Sequence, residues 1–335
     1  MTTADFASTS DKAVMFASIV YALAFLAHLT EWVLVRSMPV PAAAARQPAL
    51  VGAEASRAVE SVGTSDLDKL DHPAGLDERE LRVEKFGRIG VALTVLGCVL
   101  HVLAVVCRGL GSDPIRVPWG NMYEFTLAGT LGVSLMYLVL MKRYGLRWMG
   151  ILVTGFLVVV LMVDVMVLYE HAGPLVPALH SYWLAIHVLA AIIASGCFAV
   201  GALTLVLFLA KDRAVRRGRL RPGGYLDRLP EVMSLERVAY RLHAFGFPIW
   251  TFAALVAGPI WAEYAWGSYW NWDPKEVWAF ITWVVYAAYL HARATAGWRG
   301  KAASVIALIG FATLLFNFVG INYFFGGGSM HSYSH

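Results

Sequence analysis

The hydrophobic positions of this chain occur in long unbroken runs, not in the alternating pattern of half-buried strands. A membrane-spanning helix needs roughly 20 apolar residues in succession, and lipid leaves no partner for an unpaired backbone group. The pattern therefore predicts an all-α, polytopic integral membrane protein with about eight transmembrane helices. The runs cover approximately residues 13–35, 86–107, 122–141, 148–169, 181–210, 242–262, 274–293 and 302–325.

The overall composition supports a membrane protein. Hydrophobic residues make up 59% of the 335 positions and charged residues only 15%, whereas soluble domains carry about 25% charged residues. The segment before the first run, MTTADFASTSDK, lacks the basic start of a cleavable signal, so we expect the first helix to be retained. Cys98, Cys107 and Cys197 lie in or beside apolar runs without a CxxC spacing, which predicts buried side chains and no redox pair.

Lysine and arginine are distributed very unevenly between alternate connecting segments. Of the 27 basic residues, 23 fall on one set of segments, and only Lys12, Arg108, Arg116 and Lys275 fall on the other. The basic set is expected to face the cytoplasm, which places both termini on the non-cytoplasmic side. Acidic membrane lipid is the expected partner of the basic segments, so the net charge of +4 does not indicate nucleic acid as a partner.

Two regions of different character follow from this pattern. Residues 1–85 are predicted to form the first transmembrane helix and a flexible cytoplasmic linker, because residues 38–80 are rich in alanine, proline and acids. Residues 86–335 are predicted to form a core of about seven transmembrane helices. An external loop at 261–278 belongs to this core.

That external loop contains the stretch WGSYWNWDPKEVW, in which Asp273-Pro274 is a helix-start signal. Its tryptophans have an alternative interpretation as an aromatic belt at the membrane surface. A plain belt needs no charged groups, so Asp273 and Lys275 favour a site for a flat, apolar ligand with anionic edges. The tryptophans are Trp266, Trp270, Trp272 and Trp278.

Histidines gather on the same predicted side. His180 and His187 lie at the start of the fifth run, where Ser181 is a candidate helix cap, and His331 follows a triple glycine near the C-terminus. Haem iron takes axial histidine ligands, whereas zinc is disfavoured because no suitable Cys or HExxH spacing occurs. A hydrogen-bonded polar residue within a span is the alternative for His187, and a solvated tail residue is the alternative for His331.

His291 is expected at the other side of the membrane. It lies 18 residues after Asp273, which corresponds to roughly 27 Å along a helix. One interpretation is a histidine near a helix C-terminus, stabilised by the helix dipole. The other is a second ligand site on the inner side.

These residues resemble the CcsA family, also called ResC and in some bacteria CcsB, of System II cytochrome c biogenesis. WGSYWNWDPKEVW resembles the WWD motif of haem-handling proteins, and the resemblance extends over roughly residues 86–335. Four further segments are similar to family segments: WGNMYEFTLAGT (119–130), HSYWLAIHV (180–188), YLHAR (289–293) and GINYFFGGGSMHSY (320–333).

The resemblance implies a site and a set of partners. Reduced haem b would be held between His187 and His331 with the WWD loop over the porphyrin, and His180 would be an alternate ligand. His291 would belong to an inner haem site completed by a ResB-type membrane subunit. The complex would act in the plasma membrane as a holocytochrome c synthase (haem lyase). Its external active site would join haem vinyl groups to the CxxCH thiols of apocytochrome c, with a thioredoxin-like thiol reductant as a further partner.

Two other functions fit the same residues. One is a haem exporter or chaperone of the CcmC or CcmF type that lacks ligase activity. The other is a secondary transporter for an anionic solute, although no inverted repeat is evident. The sequence also leaves open which tryptophan stacks on the ring, and whether Lys275, Asp273 or Arg116 meets a propionate.

Overall fold

The computed structural model describes residues 2–36, 74–171, 181–221, 224–295, 298–324 and 329–330. These residues form helices and contain no strand, which confirms the all-α class. Short 3₁₀ or π-helical segments interrupt the bundle at Leu146–Met149, Ala253–Ala257 and Phe316–Gly320. The α-helices are α1 (Thr3–Arg36), α2 (Ala74–Leu110), α3 (Met122–Tyr144), α4 (Gly150–Val167), α5 (Tyr182–Arg216), α6 (Tyr225–Arg228), α7 (Val232–Phe252), α8 (Gly258–Trp266), α9 (Pro274–Ala294), α10 (Lys301–Leu315) and α11 (Ile321–Phe324).

Seven helical segments of the described chain are long and apolar enough to cross a membrane, which confirms a polytopic membrane protein. The eighth expected run is the helix α9, whose 21 residues have sufficient length. Its tryptophan, tyrosine and histidine side chains lower its mean hydropathy, so its composition alone does not identify it as a membrane-spanning helix. The seven segments are Thr3–Leu34, Glu78–Leu110, Met122–Tyr144, Leu146–Val167, Tyr182–Arg216, Val232–Trp266 and Lys301–Gly320.

The helices alternate in direction, so that every second connection lies at the same end of the bundle. At one end, which we call the loop end, Tyr169 after α4 donates to Asp11 near the start of α1 at 3.0 Å. At the opposite end, Arg293 of α9 donates to Glu236 of α7 at 2.7 Å. α5 runs through the centre of the bundle. In its apolar stretch 72% of the residues are buried, against 33–39% in the other spans.

The helix starts follow the capping residues in the sequence. The Ser181 hydroxyl accepts the Trp183 N–H at 3.2 Å at the start of α5. The Asp273 carboxylate caps α9, with Pro274 in its first turn. Both caps confirm the sequence interpretation, because an oxygen one residue before a helix satisfies an amide that has no intrahelical partner. The expected linker lies mostly in residues 37–73, outside the described residues.

A buried ion cluster holds the start of α3 at the loop end. Glu124 is fully buried, and one of its oxygens accepts the Arg108 Nε–H at 3.0 Å. Arg116 pairs with the same carboxylate, and the Gly120 amide donates to it at 2.8 Å. Asn121 caps the helix by accepting the Glu124 N–H at 2.8 Å. Arg116 is therefore engaged in this cluster and is not placed to serve as the cation of the ligand site.

We expect Glu124→Gln to lower the free energy of unfolding by roughly 3 kcal/mol or more, because it removes the carboxylate charge that pairs with two buried guanidinium groups. Thermal unfolding in detergent measures the change. The matched control is Glu84→Gln, which breaks an exposed pair with Arg88 and should cost at most about 1 kcal/mol. Equal effects of the two substitutions would contradict the prediction.

Orientation in the membrane is tested by cysteine labelling. The three native cysteines are buried, whereas Ile115 at the loop end is 70% exposed and Glu80 at the opposite end is also exposed. We expect a membrane-impermeant maleimide to label Ile115→Cys in intact cells and Glu80→Cys only after permeabilisation. The reverse pattern would overturn the assigned direction.

Candidate functional site

A cavity that is partly open to solvent lies at the loop end between α3, α5, α7–α9 and α10–α11. Its walls are mostly apolar and aromatic. The lining includes His187, Trp250, Trp261, Trp270, Lys275 and Glu276, with the amides Asn317 and Asn322.

His187 is the one histidine among the described lining residues. Its Nδ1 lies 2.9 Å from the carbonyl oxygen of Ala253. Because a carbonyl only accepts, Nδ1 is the donor, and in the neutral form of the ring Nε2 carries the lone pair. Trp261 stacks against the imidazole at 6.0 Å between ring centroids. A β-carbon at Gly258 would lie 3.1 Å from the Ala253 carbonyl oxygen and 3.2 Å from two imidazole atoms, so a larger residue would crowd the ring.

Two π-helical segments border the cavity. Ala253–Ala257 interrupts the helix from α7 to α8, and the Gly258 N–H bonds back to the Ala253 carbonyl that also contacts His187. Phe316–Gly320 follows α10 and contributes Asn317 and Phe318 to the wall. A π turn widens a helix and re-aims its carbonyl groups, and such turns are frequent at functional sites.

The four tryptophans of the loop have different positions. Trp270 lines the cavity. Trp272 packs edge-on against the Trp270 ring, with 6.0 Å between the ring centroids. Trp266 belongs to α8 and packs on Trp261 at 4.8 Å. Trp278 packs on Phe316 at 4.2 Å, outside the cavity lining. The structure therefore brings Trp270, Lys275 and His187 to one cavity, and leaves the other three indoles outside its lining.

Glu276 shapes the loop from the first turn of α9. One oxygen accepts the amides of Asn271 at 2.8 Å and Asp273 at 3.2 Å. Together with the Asp273 cap this is a capping box. The spacing of an acid three residues after Asp273 is a sequence signal that would have identified Glu276. The aromatic wall residues Trp250 and Trp261 carry no such signal, since they lie within apolar runs.

The Asp273 carboxylate also contacts the end of the described chain. Its Oδ1 accepts the Lys275 N–H at 2.9 Å and the Ser329 hydroxyl at 2.9 Å, and its Oδ2 accepts the Met330 N–H at 2.6 Å. Its side chain is 4% exposed. The carboxylate therefore joins the loop to a segment more than fifty residues further along the chain.

The remaining predicted histidines lie elsewhere. His291 is in the last turn of α9, at the opposite end of the bundle, where its side chain is exposed. His180 and His331 lie outside the described residues. Of the predicted iron ligands, the described part of the chain thus places only His187 at the cavity.

Three oxygens in the cavity wall are buried without a hydrogen-bond partner among the described residues. They are Oε1 of Glu276, Oδ1 of Asn317 and Oδ1 of Asn322. Because a buried acceptor without a donor is unfavourable by about 1–3 kcal/mol, these atoms are suited to bound water or to donor groups of a ligand.

Comparison with known proteins gives one family. Residues 119–327 match the model of the family described as Cytochrome C assembly protein. The protein of Guillardia theta described as cytochrome c biogenesis protein CcsA is 32% identical over 261 residues, which cover 73% of this chain and 85% of that protein. The protein of Synechococcus elongatus with the same description is 33% identical over 289 residues, covering 74% and 86%.

A solved structure shares the fold. The chain superimposes on the structure described as Cytochrome c Heme Lyase CcmF with a TM-score of 0.59 and 17% sequence identity. The match covers 95% of this chain and 47% of that one, so this chain spans about half of its length. At this identity the likeness concerns the fold alone.

Trp272 provides a test of the loop geometry. Its φ is 56°, a left-handed conformation that is unusual for a bulky residue, and its side chain is 77% exposed. We expect the free energy of unfolding of Trp272→Gly to exceed that of Trp272→Ala by about 1 kcal/mol, because only glycine avoids the β-carbon clash. Trp272→Gly should therefore unfold at the higher temperature. Thermal unfolding in detergent measures this. Equal stability of the two variants would contradict the assigned backbone conformation.

Proposed function

Because the chain belongs to the cytochrome c assembly family that includes the CcsA proteins, we propose that it is the membrane subunit of a System II cytochrome c synthase. In this proposal it carries haem b across or within the membrane and holds it at the loop end. There it presents the haem to the CxxCH of apocytochrome c. Cytochrome c biogenesis at a membrane is the common element of the family, and the axial ligands and the ligase step are the proposed details.

The observation that carries the proposal is the position of His187. Its Nδ1 is held by the Ala253 carbonyl inside an aromatic cavity. Histidines that bind metals commonly donate their other ring N–H to a carbonyl or carboxylate, which orients the ring and raises the basicity of the ligating nitrogen. Nε2 of His187 therefore has the electronic state required of an axial ligand of iron.

The rest of the cavity fits a flat, apolar group with anionic edges. Trp250, Trp261 and Trp270 supply indole faces to the wall. Among the described lining residues, Lys275 is the only one with a basic side chain of the lysine or arginine type. It is therefore the candidate partner for a propionate. The neighbouring Asp273 is committed to backbone and hydroxyl donors, so it is less suited to that role.

The second axial ligand in this proposal is His331. It follows Met330 directly in the sequence, and the Met330 amide is bonded to Asp273 beside the cavity. His180 is the alternate ligand, since it precedes the Ser181 cap of α5. Two histidine ligands would saturate the iron and protect its reduced state.

In thioether formation the haem supplies the vinyl groups that react with the two thiols of apocytochrome c. This chain contributes orientation and electrostatics. His187 fixes the position of the ring, the indoles exclude water from its face, and Lys275 balances negative charge at its edge. Thiol and vinyl groups held close together then react with a large gain in effective concentration.

His291 belongs to the proposed inner haem site. Its side chain is exposed near the end of α9, so it is accessible to another chain. A ResB-type subunit packed against α9 would supply the second ligand there. The proposal further places the chain in the plasma membrane with the loop end outside, where a thioredoxin-like reductant keeps the apocytochrome thiols reduced.

We expect the purified complex with the ResB-type subunit to show a haem Soret band that His187→Ala and His331→Ala each weaken and that the double variant loses. Added imidazole should restore the band in the single variants, because it replaces the missing axial ligand. His171→Ala is the matched control, since His171 is an exposed histidine at the loop end. A normal haem spectrum in the double variant would overturn the proposed site.

Reconstitution separates the synthase from a haem chaperone. Cells that lack other maturation systems would express the chain with the ResB-type subunit and an apocytochrome c. We expect covalent cytochrome c that a haem stain detects after denaturing electrophoresis. A complex that contains haem but yields no covalent product would favour the chaperone.

A further inference from the structure

We propose that Asp273 is a positioning residue whose carboxylate anchors the chain at Ser329 and Met330 to the tryptophan loop, and so determines where His331 is presented. This inference rests on the proposed function for the role of His331. The anchor itself is a property of the protein without haem. The two parts are therefore tested by separate measurements.

The two carboxylate oxygens of Asp273 have different tasks. Oδ1 accepts the Lys275 N–H and thereby caps α9, and it also accepts the Ser329 hydroxyl. Oδ2 accepts the Met330 N–H at 2.6 Å. Asparagine is as good a helix cap as aspartate, so the cap alone does not require a carboxylate. The second oxygen is needed because a backbone amide from another segment points at it.

Burial makes this contact strong. The Asp273 side chain is 4% exposed, and a carboxylate removed from water needs donors to compensate for its lost hydration. Hydrogen bonds to a charged group are shorter and stronger than neutral ones. Loss of the Met330 donor would remove a charged hydrogen bond in a buried place, so the loop and the C-terminal segment stabilise each other.

The sequence before Ser329 explains why an anchor is required. Gly326, Gly327 and Gly328 precede it, and glycine permits many backbone conformations. A run of three glycines therefore has no conformational preference that would by itself fix the direction of the chain after it. Contact with Asp273 supplies that direction immediately before His331. The same carboxylate caps α9 directly after the loop that contains Trp270 and Trp272. Asp273 therefore contacts both the loop and the chain segment that leads to His331.

Asp273→Asn separates the anchor from the cap. Its single side-chain oxygen can still accept the Lys275 amide, but its NH₂ group then faces the Met330 N–H, and two donors cannot bond to each other. Met330→Pro tests the contact from the other side, because proline has no N–H and Asp273 remains intact. Met330→Ala keeps the amide and is the matched control.

The first measurement uses the haem-free protein with its ResB-type subunit. Hydrogen exchange followed by mass spectrometry reports the amide protection of the peptide that contains Met330. We expect Asp273→Asn to raise its exchange rate roughly tenfold to a hundredfold, as for the loss of a buried hydrogen bond to a charged group. Met330→Ala should leave the rate within about threefold of wild type. Unchanged exchange in Asp273→Asn would overturn the anchor.

The second measurement uses the haem spectrum of the same complex. We expect Asp273→Asn and Met330→Pro to lose the Soret band to the extent seen in His331→Ala, and imidazole to restore it in all three. Met330→Ala should retain the band. A wild-type spectrum in Asp273→Asn, or a loss that imidazole does not restore, would overturn the positioning role. A wild-type complex that binds no haem would overturn the proposed function and this role with it, while hydrogen exchange would still decide the anchor.

Discussion

The site depends on the requirement that a polar backbone group inside a membrane protein must have a partner. A regular helix satisfies this requirement within itself, and its carbonyl oxygens can also accept a side-chain donor, as that of Leu127 does from His101. At Ala253 the helix widens into a π turn, and one carbonyl oxygen accepts both the Gly258 amide and the His187 ring. This irregularity is tolerated because it borders a cavity, and it orients the imidazole that gives the cavity its chemistry.

The tryptophan loop obeys the same requirement by other means. Its backbone leaves the helical path between α8 and α9, and two carboxylates replace the lost helical partners. Glu276 accepts the amides of Asn271 and Asp273, and Asp273 accepts those of Lys275 and Met330. Of the two charged residues that argued against a plain aromatic belt, Asp273 is thus structural. Lys275 is the other, and it lines the cavity as the candidate ligand contact of the proposed function.

Much of the fold could be predicted because hydrophobic length and helix caps are local properties. The runs and the caps at Ser181 and Asp273 required no knowledge of neighbouring helices. Hydropathy was less informative for α9, whose aromatic and polar side chains pack inside the bundle between α7 and α10. The lengths of the helices were also underestimated. α1 begins at Thr3 and α2 at Ala74, since helices continue beyond the apolar stretch that lipid requires.

The sequence by itself determined the membrane class, the helix positions and the set of candidate residues, because composition and spacing encode them directly. Only the tertiary structure decided which of them meet. His187 and Trp270 line one cavity although more than eighty residues separate them, whereas Trp278 lies outside it, packed on Phe316. Side-chain direction depends on helix rotation and on the π turns, and these result from packing between distant segments. For the same reason the contact between Asp273 and Met330 was not apparent from either motif alone.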